Sequence, residues 1–204
     1  MWIALAGVSM AAVPDGIRPV ATDLAAPLRY RRHLEATGEP PSDLACDILL
    51  PGALMLCFRV WEDGALSWVD ASDLARWQET TASLRAHVVA RSAEQVNEAP
   101  LVGVRGLAAR YVQHASGEGW AVAGLLAPEA LAARAGGRPV RAALPGQDVL
   151  VAWAAGTPEL DKVMAVGVRE LFDKRPRPLT PRVFQWDGGA WLPFGEAVPA
   201  EVGL

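Results

Sequence analysis

The chain has 204 residues, of which 51% are hydrophobic and 21% are charged, and its formal net charge is −4. This composition excludes an intrinsically disordered chain and is typical of a globular protein. The densest basic cluster covers residues 29–33 and no basic stripe accompanies it, so we expect no nucleic-acid binding. No run reaches the ~18 apolar residues that a bilayer span needs, so we expect no membrane partner.

The first part of the chain is the least informative. It is rich in Ala and Pro, and we predict that residues 1–44 form an N-terminal extension packed on a main domain. Residues 1–13 are apolar but lack a positively charged start, which favours their retention and leaves a signal peptide open. One helix is predicted from a loose apolar spacing that stops at Gly38, with Leu24, Leu28, Tyr30 and Leu34 on its face.

The main domain is predicted to cover residues 45–204, with a loose tail after residue 195. Its first hairpin is indicated by Asp63-Gly64 between two apolar stretches, because Asp-Gly supplies the positive φ angles of a tight turn. The paired strands are expected at residues 54–61 and 66–69.

Two helices are predicted after this hairpin from their start signals. Asp70 is placed to cap the first helix, with Asp73 in its first turn, where a negative charge favours the helix dipole. Thr80 or Thr81 begins the second helix, which is expected to end before Asn97.

A second hairpin is predicted around the glycine-containing turn at residues 116–119. The segment 108–113 and the apolar run 120–126 would be its two strands. A short helix follows, bracketed by Pro128 at a first helical position and by Gly136 just past its end.

The last third carries the strongest local signals. Two apolar segments, 139–144 and 149–153, flank a turn and predict a strand, a turn and a strand. Thr157-Pro158-Glu159 then supplies a hydroxyl cap, a first-turn proline and an acid, which together predict a helix start. A third hairpin is expected from residues 183–186 and 190–192.

The helix after Thr157 is predicted to be amphipathic. Counted from Leu160, the residues of its apolar face recur 3, 4, 7, 8 and 11 positions later. They are Leu160, Val163, Met164, Gly167, Val168 and Leu171. We expect Gly167 to let this helix approach the sheet closely. The elements together predict an α+β fold, with a mixed or antiparallel sheet built from hairpins and with helices packed on it.

Several of these segments share their pattern with one known family. They are Val69-Asp70-Ala71-Ser72-Asp73-Leu74, the run 120–126, the double strand 139–151, Pro178-Leu179-Thr180-Pro181 and Gly189-Ala190-Trp191. On these motifs, residues 45–194 resemble the YtpQ-like bacterial family of unknown function. The resemblance implies an α+β domain and imports no catalytic residue. One departure is that His87–Ser92 stands where the family tends to place Ala-x-x-Asn-Leu.

The two cysteines, Cys46 and Cys57, lie in apolar surroundings, where a free thiol behaves as a small buried hydrophobe. A single disulfide between them stays open, although nothing in the sequence supports it. Cytoplasm is therefore the expected location.

Motifs for catalysis are missing from the sequence. It has no Gly-x-Ser-x-Gly, no phosphate-binding loop and no metal-ligand spacing around His33, His87 or His114. We therefore predict no catalytic residues, no cofactor and no metal.

The leading prediction is a non-enzymatic bacterial binding protein with a protein partner, and a homo-oligomer stays open. Clustered tryptophans on a sheet face would provide an anchor patch for such a partner, and Gln147-Asp148 is a polar pair at a motif position. The candidate partner-binding residues are Trp61, Trp68, Gln147, Asp148, Trp186 and Trp191.

The alternative prediction is an enzyme or a small-ligand-binding protein whose polar groups come from separated positions. The candidate groups are Arg110, His114, Arg141 and Asp148. A deep pocket with convergent polar groups would favour this alternative, whereas a flat apolar patch would favour the protein partner.

Overall fold

The computed structural model describes residues 13–40, 42–50, 53–62, 64–103, 110–115 and 120–196. Within them the chain forms two antiparallel sheets and six α-helices, which confirms the α+β prediction. The strands are β1 (Ile17–Thr22), β2 (Cys46–Leu50), β3 (Leu54–Glu62), β4 (Ala65–Trp68), β5 (Leu101–Gly103), β6 (Arg110–Ala115), β7 (Val140–Gly146), β8 (Val149–Ala154), β9 (Arg182–Trp186) and β10 (Trp191–Glu196). The helices are α1 (Ala26–Thr37), α2 (Ala71–Trp77), α3 (Thr81–Glu98), α4 (Ala123–Leu126), α5 (Pro128–Ala135) and α6 (Pro158–Lys174).

The smaller sheet is organised around β3, which pairs with β1 along one edge and with β2 and β4 along the other. The pairing of β3 with β4 confirms the predicted first hairpin. Side chains alternate along β3 because successive strand residues point to opposite faces. Those in the main core are Leu54, Leu56, Phe58 and Val60. The opposite face, here called the outer face, carries Met55, Cys57, Arg59 and Trp61.

The outer face holds a disulfide between Cys46 and Cys57, so the expectation of two free thiols is wrong. The two residues are directly opposite in the β2–β3 register, with their Cα atoms 4.1 Å apart. The apolar run from 48 to 60 hides this pairing, because it contains parts of two antiparallel strands. Disulfides persist in oxidising compartments, so the basis for expecting cytoplasm is removed, and that location stays a prediction.

The N-terminal segment contributes β1, which the sequence patterns did not predict. β1 pairs with β3 from Ile17 opposite Val60 to Thr22 opposite Met55. Residues 17–22 are therefore part of the smaller sheet, while the division into an extension and a main domain stays a prediction. β10 reaches residue 196, and the rest of the predicted loose tail lies outside the described residues.

The helices that flank the smaller sheet start as predicted. Asp70 and Thr80 each form a capping box with the residue three positions later, at the starts of α2 and α3. α3 continues past Asn97 to Glu98, so its predicted end is wrong. Pro100 accounts for the observed end, since a proline disfavours helical backbone at the residue before it.

The larger sheet has the strand order β10-β9-β7-β8-β6-β5, and apolar layers cover both of its faces. Along β8, Leu150 and Ala152 enter the main core, while Val151 and Trp153 enter a second core beneath α6. A strand buried on both faces has no polar alternation, which explains its continuous apolar sequence. The pairing of β7 with β8, and of β9 with β10, confirms two predicted hairpins.

The predicted hairpin around residues 116–119 is wrong, because residues 120–126 are helical. A 3₁₀ turn over Trp120–Val122 leads into α4, and β6 pairs with β5 and β8 instead. An unbroken apolar run does not distinguish a buried strand from a buried helix. Gly124 lets this helix pack closely on the sheet, since a Cβ there would lie 2.7 Å from Cδ2 of Leu150. α5 follows between Pro128 and Gly136, as predicted.

α6 also begins as predicted, and the Thr157 hydroxyl accepts a hydrogen bond from the Leu160 amide at 3.3 Å. The prediction for Gly167 is wrong, because a Cβ at this position would meet no atom within 4 Å. A groove of about 210 Å³ lies there, between α6 and the sheet, and Val163 at its edge is 46% exposed.

Candidate functional site

A cavity of about 560 Å³ lies between α1, β4 and the turn that joins β7 to β8. Its volume is within the range of about 300–1,000 Å³ that is typical of small-molecule sites. Apolar side chains from Ala26, Leu34 and Leu44 form part of its wall. The polar and aromatic part of the wall comes from Arg29, Tyr30, His33, Glu39, Trp68 and Gln147.

The α1 wall is held in place by local contacts at both ends. A proline in its first turn presets the helical φ angle, and Gly38, with a φ of 81°, ends the helix in the left-handed conformation. Arg29 pairs with Asp23 at 3.0 Å. Leu34 is 6% exposed, so the same helix face that lines the cavity also anchors α1.

Tyr30 connects α1 to the start of α2. Its hydroxyl donates a hydrogen bond to Oδ2 of Asp70 at 3.1 Å, while Oδ1 of Asp70 accepts from the Ser72 amide at 2.8 Å. Burial raises the pKa of Asp70, but hydrogen bonds from Ser72, Asp73 and Tyr30 outweigh burial and hold that pKa below its usual value. Burial and the bond to Asp70 raise the pKa of Tyr30 to about 12. Tyr30 is therefore a hydrogen-bond donor at neutral pH and not a base.

Trp68 lies beside Arg59 on the outer face, where the two residues are opposite in the β3–β4 register. The guanidinium carbon of Arg59 is 5.3 Å from the centre of the Trp68 ring, a cation–π distance. Nη2 of Arg59 donates to the Leu66 carbonyl at 2.6 Å. Nε of Arg59 is buried and has no hydrogen-bond partner among the described residues.

Gln147 enters the cavity from the larger sheet. Its backbone amide donates to the carbonyl of Arg177 at 3.3 Å, which places the segment after α6 beside this turn. Asp148, the next residue, pairs with Nη1 of Arg175 at 2.9 Å. The turn is thus fixed by two contacts with residues 175–177, and Gln147 is directed to the cavity.

Two of the six predicted partner-binding residues, Trp68 and Gln147, meet at this cavity. Trp61 is on the same sheet face and is 56% exposed. Trp186 is 3% exposed, and the half-buried Trp191 donates from its indole nitrogen to the Leu125 carbonyl at 3.0 Å. These last two lie inside the fold, and the partner-binding role stays a prediction.

The structure places two residues of the alternative prediction, Arg141 and Asp148, far apart. Arg141 pairs with Asp161 near the start of α6, whereas Asp148 pairs with Arg175 just past its end. The 14 positions from 161 to 175 rise by about 21 Å at 1.5 Å per residue. Arg110 and His114 lie on β6, but their side chains lie outside the description.

The sequence patterns missed Arg29, Tyr30 and His33 as residues of the cavity wall. The basic cluster on α1 reads as a solvated helix face, yet Arg29 and His33 are four positions apart and share one side of the helix. Tyr30 and Leu34 are also four positions apart. These two pairs together are the signal that could have indicated a common wall of the cavity.

Among the residues that the structure describes, no group of three or more His, Cys, Asp or Glu is placed to hold a metal ion. In the same part of the chain, no helix has the length and apolar character needed to cross a bilayer. Comparisons with protein-family models, with curated proteins and with solved structures found no match to this chain. The resemblance to the YtpQ-like family therefore stays a prediction.

Proposed function

We propose that this chain is a non-enzymatic binding protein whose ligand is a small molecule held in the cavity beside α1. One observation carries the proposal: three elements distant in sequence, α1, β4 and the β7–β8 turn, enclose about 560 Å³ with aromatic and polar side chains. Aromatic side chains provide apolar contact area, and a few fixed polar groups provide orientation, which is the usual composition of a ligand site.

The state of the polar groups favours binding over catalysis. Tyr30 is held protonated by burial and by Asp70, and the Asp70 carboxylate is occupied by the cap of α2. Arg29 is engaged by Asp23. These groups are already fixed by structural hydrogen bonds, so they can orient a ligand at little entropic cost but are not poised to exchange protons.

The proposal is tested by filling the cavity. Ser67 on β4 lines it, and Ser67→Trp should occupy the space and abolish binding of the neutral fluorescent probe N-phenyl-1-naphthylamine. Ala65 lies two positions earlier on the same strand and is exposed, so Ala65→Trp is the matched control and should bind the probe as the wild type does. Equal binding by Ser67→Trp, or no binding by the wild type, would contradict the proposal.

A second candidate is a protein partner that docks on the outer face. The observation that favours it is the 56% exposure of Trp61, which stands beside Leu66 in the β3–β4 register. Trp61→Ser should then remove a partner found by crosslinking in the native lysate, whereas Ser67→Trp should not. An unchanged partner list would dispose of this candidate.

A further inference from the structure

The most buried polar side chain in the cavity wall belongs to Thr22, the last residue of β1, which is 4% exposed. Among the described residues its hydroxyl forms no side-chain hydrogen bond. It is not one of the fully enclosed polar atoms that lack a partner, so the oxygen faces open space, and Thr22 lines the cavity. A buried hydroxyl in this position can form a hydrogen bond with a ligand.

The buried part of the wall contains no charged residue. Besides Thr22, its buried members are Ala26, Leu34 and Leu44, all of which are apolar. An ionised group placed against these side chains would lose its hydration without gaining a counter-charge, which is strongly unfavourable. The buried end of the cavity therefore favours an uncharged ligand, with one hydrogen-bonding group directed at Thr22.

The charged residues of the wall are exposed and have both signs. Arg29 donates to both carboxylate oxygens of the exposed Asp23, at 3.0 and 3.1 Å, and Glu39 is exposed as well. His33 is exposed one turn after Arg29 and adds a positive charge only when it is protonated. Exposed charges are screened by salt, and these have opposite signs, so together they give no strong preference for a cation or an anion.

We propose that the cavity binds an uncharged ring compound whose hydroxyl or carbonyl oxygen is hydrogen-bonded to Thr22 at the buried end. This inference rests on the proposed function and names the ligand class for the same cavity. The Thr22 hydroxyl both donates and accepts, so it can bind a ligand carbonyl or a ligand hydroxyl. Tyr30 and Trp68 add aromatic surface to the wall, which provides apolar contact area for a ring.

The test measures displacement of N-phenyl-1-naphthylamine by compounds that share one ring system. The alcohol 1-tetralol and the ketone 1-tetralone carry the two oxygen groups, and tetralin carries neither. Tetralin-1-carboxylate and 1-aminotetralin carry a negative and a positive charge. In the wild type the two charged compounds should need concentrations at least about tenfold higher than the alcohol or the ketone, because an ionised group would lose its hydration at the buried end. The stronger of the alcohol and the ketone identifies the preferred oxygen group.

Variants of Thr22 assign the bound oxygen group to this side chain. Thr22→Val removes the hydroxyl and keeps the branched shape, so a bound alcohol or ketone would lose its partner. This variant should weaken displacement by 1-tetralol and 1-tetralone about tenfold and should not weaken displacement by tetralin. Thr22→Ser keeps a hydroxyl and should retain the wild-type pattern. Thr81 begins α3 and does not line the cavity, so Thr81→Val is the matched control and should also behave as the wild type.

The outcomes separate the two proposals. In a wild type that binds the probe, stronger displacement by either charged compound than by the alcohol and the ketone would overturn the inference and leave the cavity proposal standing. Equal effects of Thr22→Val on tetralin, the alcohol and the ketone would also overturn it. Thr22→Ala, which lacks the hydroxyl too, decides in the same way if Thr22→Val does not fold. Failure of the wild type to bind the probe would overturn both proposals.

Discussion

The two sheets of this protein differ in the partners of their half-buried arginines, Arg141 on the larger sheet and Arg59 on the smaller one. On the larger sheet, Arg141 pairs with Asp161 and donates to Gln185 at 3.2 Å, and Trp153 donates to the same aspartate at 3.0 Å. Each sheet has one buried arginine donor without a hydrogen-bond partner among the described residues, Nη1 of Arg141 and Nε of Arg59. Nη1 of Arg141 is in the ion pair with Asp161, whereas no described carboxylate pairs with Arg59. An ion pair with further hydrogen bonds fixes a structure, whereas Arg59 takes part in no such network with a described carboxylate. We therefore expect the larger sheet to contribute more to stability, while the proposed cavity takes Ser67 and Trp68 of its wall from the smaller sheet.

The largest loss of stability is expected from a substitution in the core of the larger sheet. Trp153 is 1% exposed in the second core, and Trp153→Ala should lower the free energy of unfolding by about 3–5 kcal/mol, measured by urea denaturation. Trp61 on the smaller sheet is 56% exposed, so Trp61→Ala should change it by less than about 0.5 kcal/mol. Similar losses of unfolding free energy in Trp153→Ala and Trp61→Ala would contradict the contrast between the two sheets.

The next largest loss of stability is expected from removing the disulfide of the smaller sheet. Removing it with Cys46→Ala and Cys57→Ala together should lower the free energy of unfolding by about 2–4 kcal/mol, because the crosslink restricts the unfolded chain. The wild type in reducing buffer should show a similar loss in the free energy of unfolding, measured by guanidinium denaturation. The double variant is the control and should not respond to the reductant. A wild type that is indifferent to reductant would contradict the structure.

Asp70, which both caps α2 and accepts the hydrogen bond from Tyr30 on α1, should stabilise the fold more than a helix cap alone. Asp70→Ala removes both the cap of α2 and the acceptor of Tyr30, and we expect a loss of about 1.5–3 kcal/mol. Thr80→Ala removes only the cap of α3 and should cost about 1 kcal/mol. Thermal unfolding compares the two variants, and an equal loss would show that the Tyr30 bond contributes nothing.

The smallest effect is a pH dependence at the cavity wall. The pKa of Tyr30 is raised from 10.0 to about 12 in the folded protein, so the phenol binds its proton more tightly there than in the unfolded chain. The stability that this provides is complete below pH 10 and is lost as the pH rises through about 12. Tyr30→Phe should lack this decline in chemical denaturation at high pH. An identical decline in wild type and variant would contradict the assignment.

Local signals predicted the elements, while contacts between distant segments escaped prediction. The cap at Thr157 and the turn between β7 and β8 depend on a few adjacent residues, and both are confirmed. The bond from Tyr30 to Asp70 spans 40 positions, and no local pattern specifies such a pair. The same holds for the disulfide, because it depends on the register of β2 against β3. The cavity is built from contacts of this second kind.

The nuclear magnetic resonance signal of the Trp68 indole N–H, assigned by its loss in Trp68→Phe, tests the central claim most directly. Titration with N-phenyl-1-naphthylamine should shift this signal saturably in the wild type and leave it unmoved in Ser67→Trp. The Trp61 indole, which lies on the same face but does not line the cavity, should keep its position in both proteins. Saturable shifts at Trp61 with none at Trp68 would contradict the account.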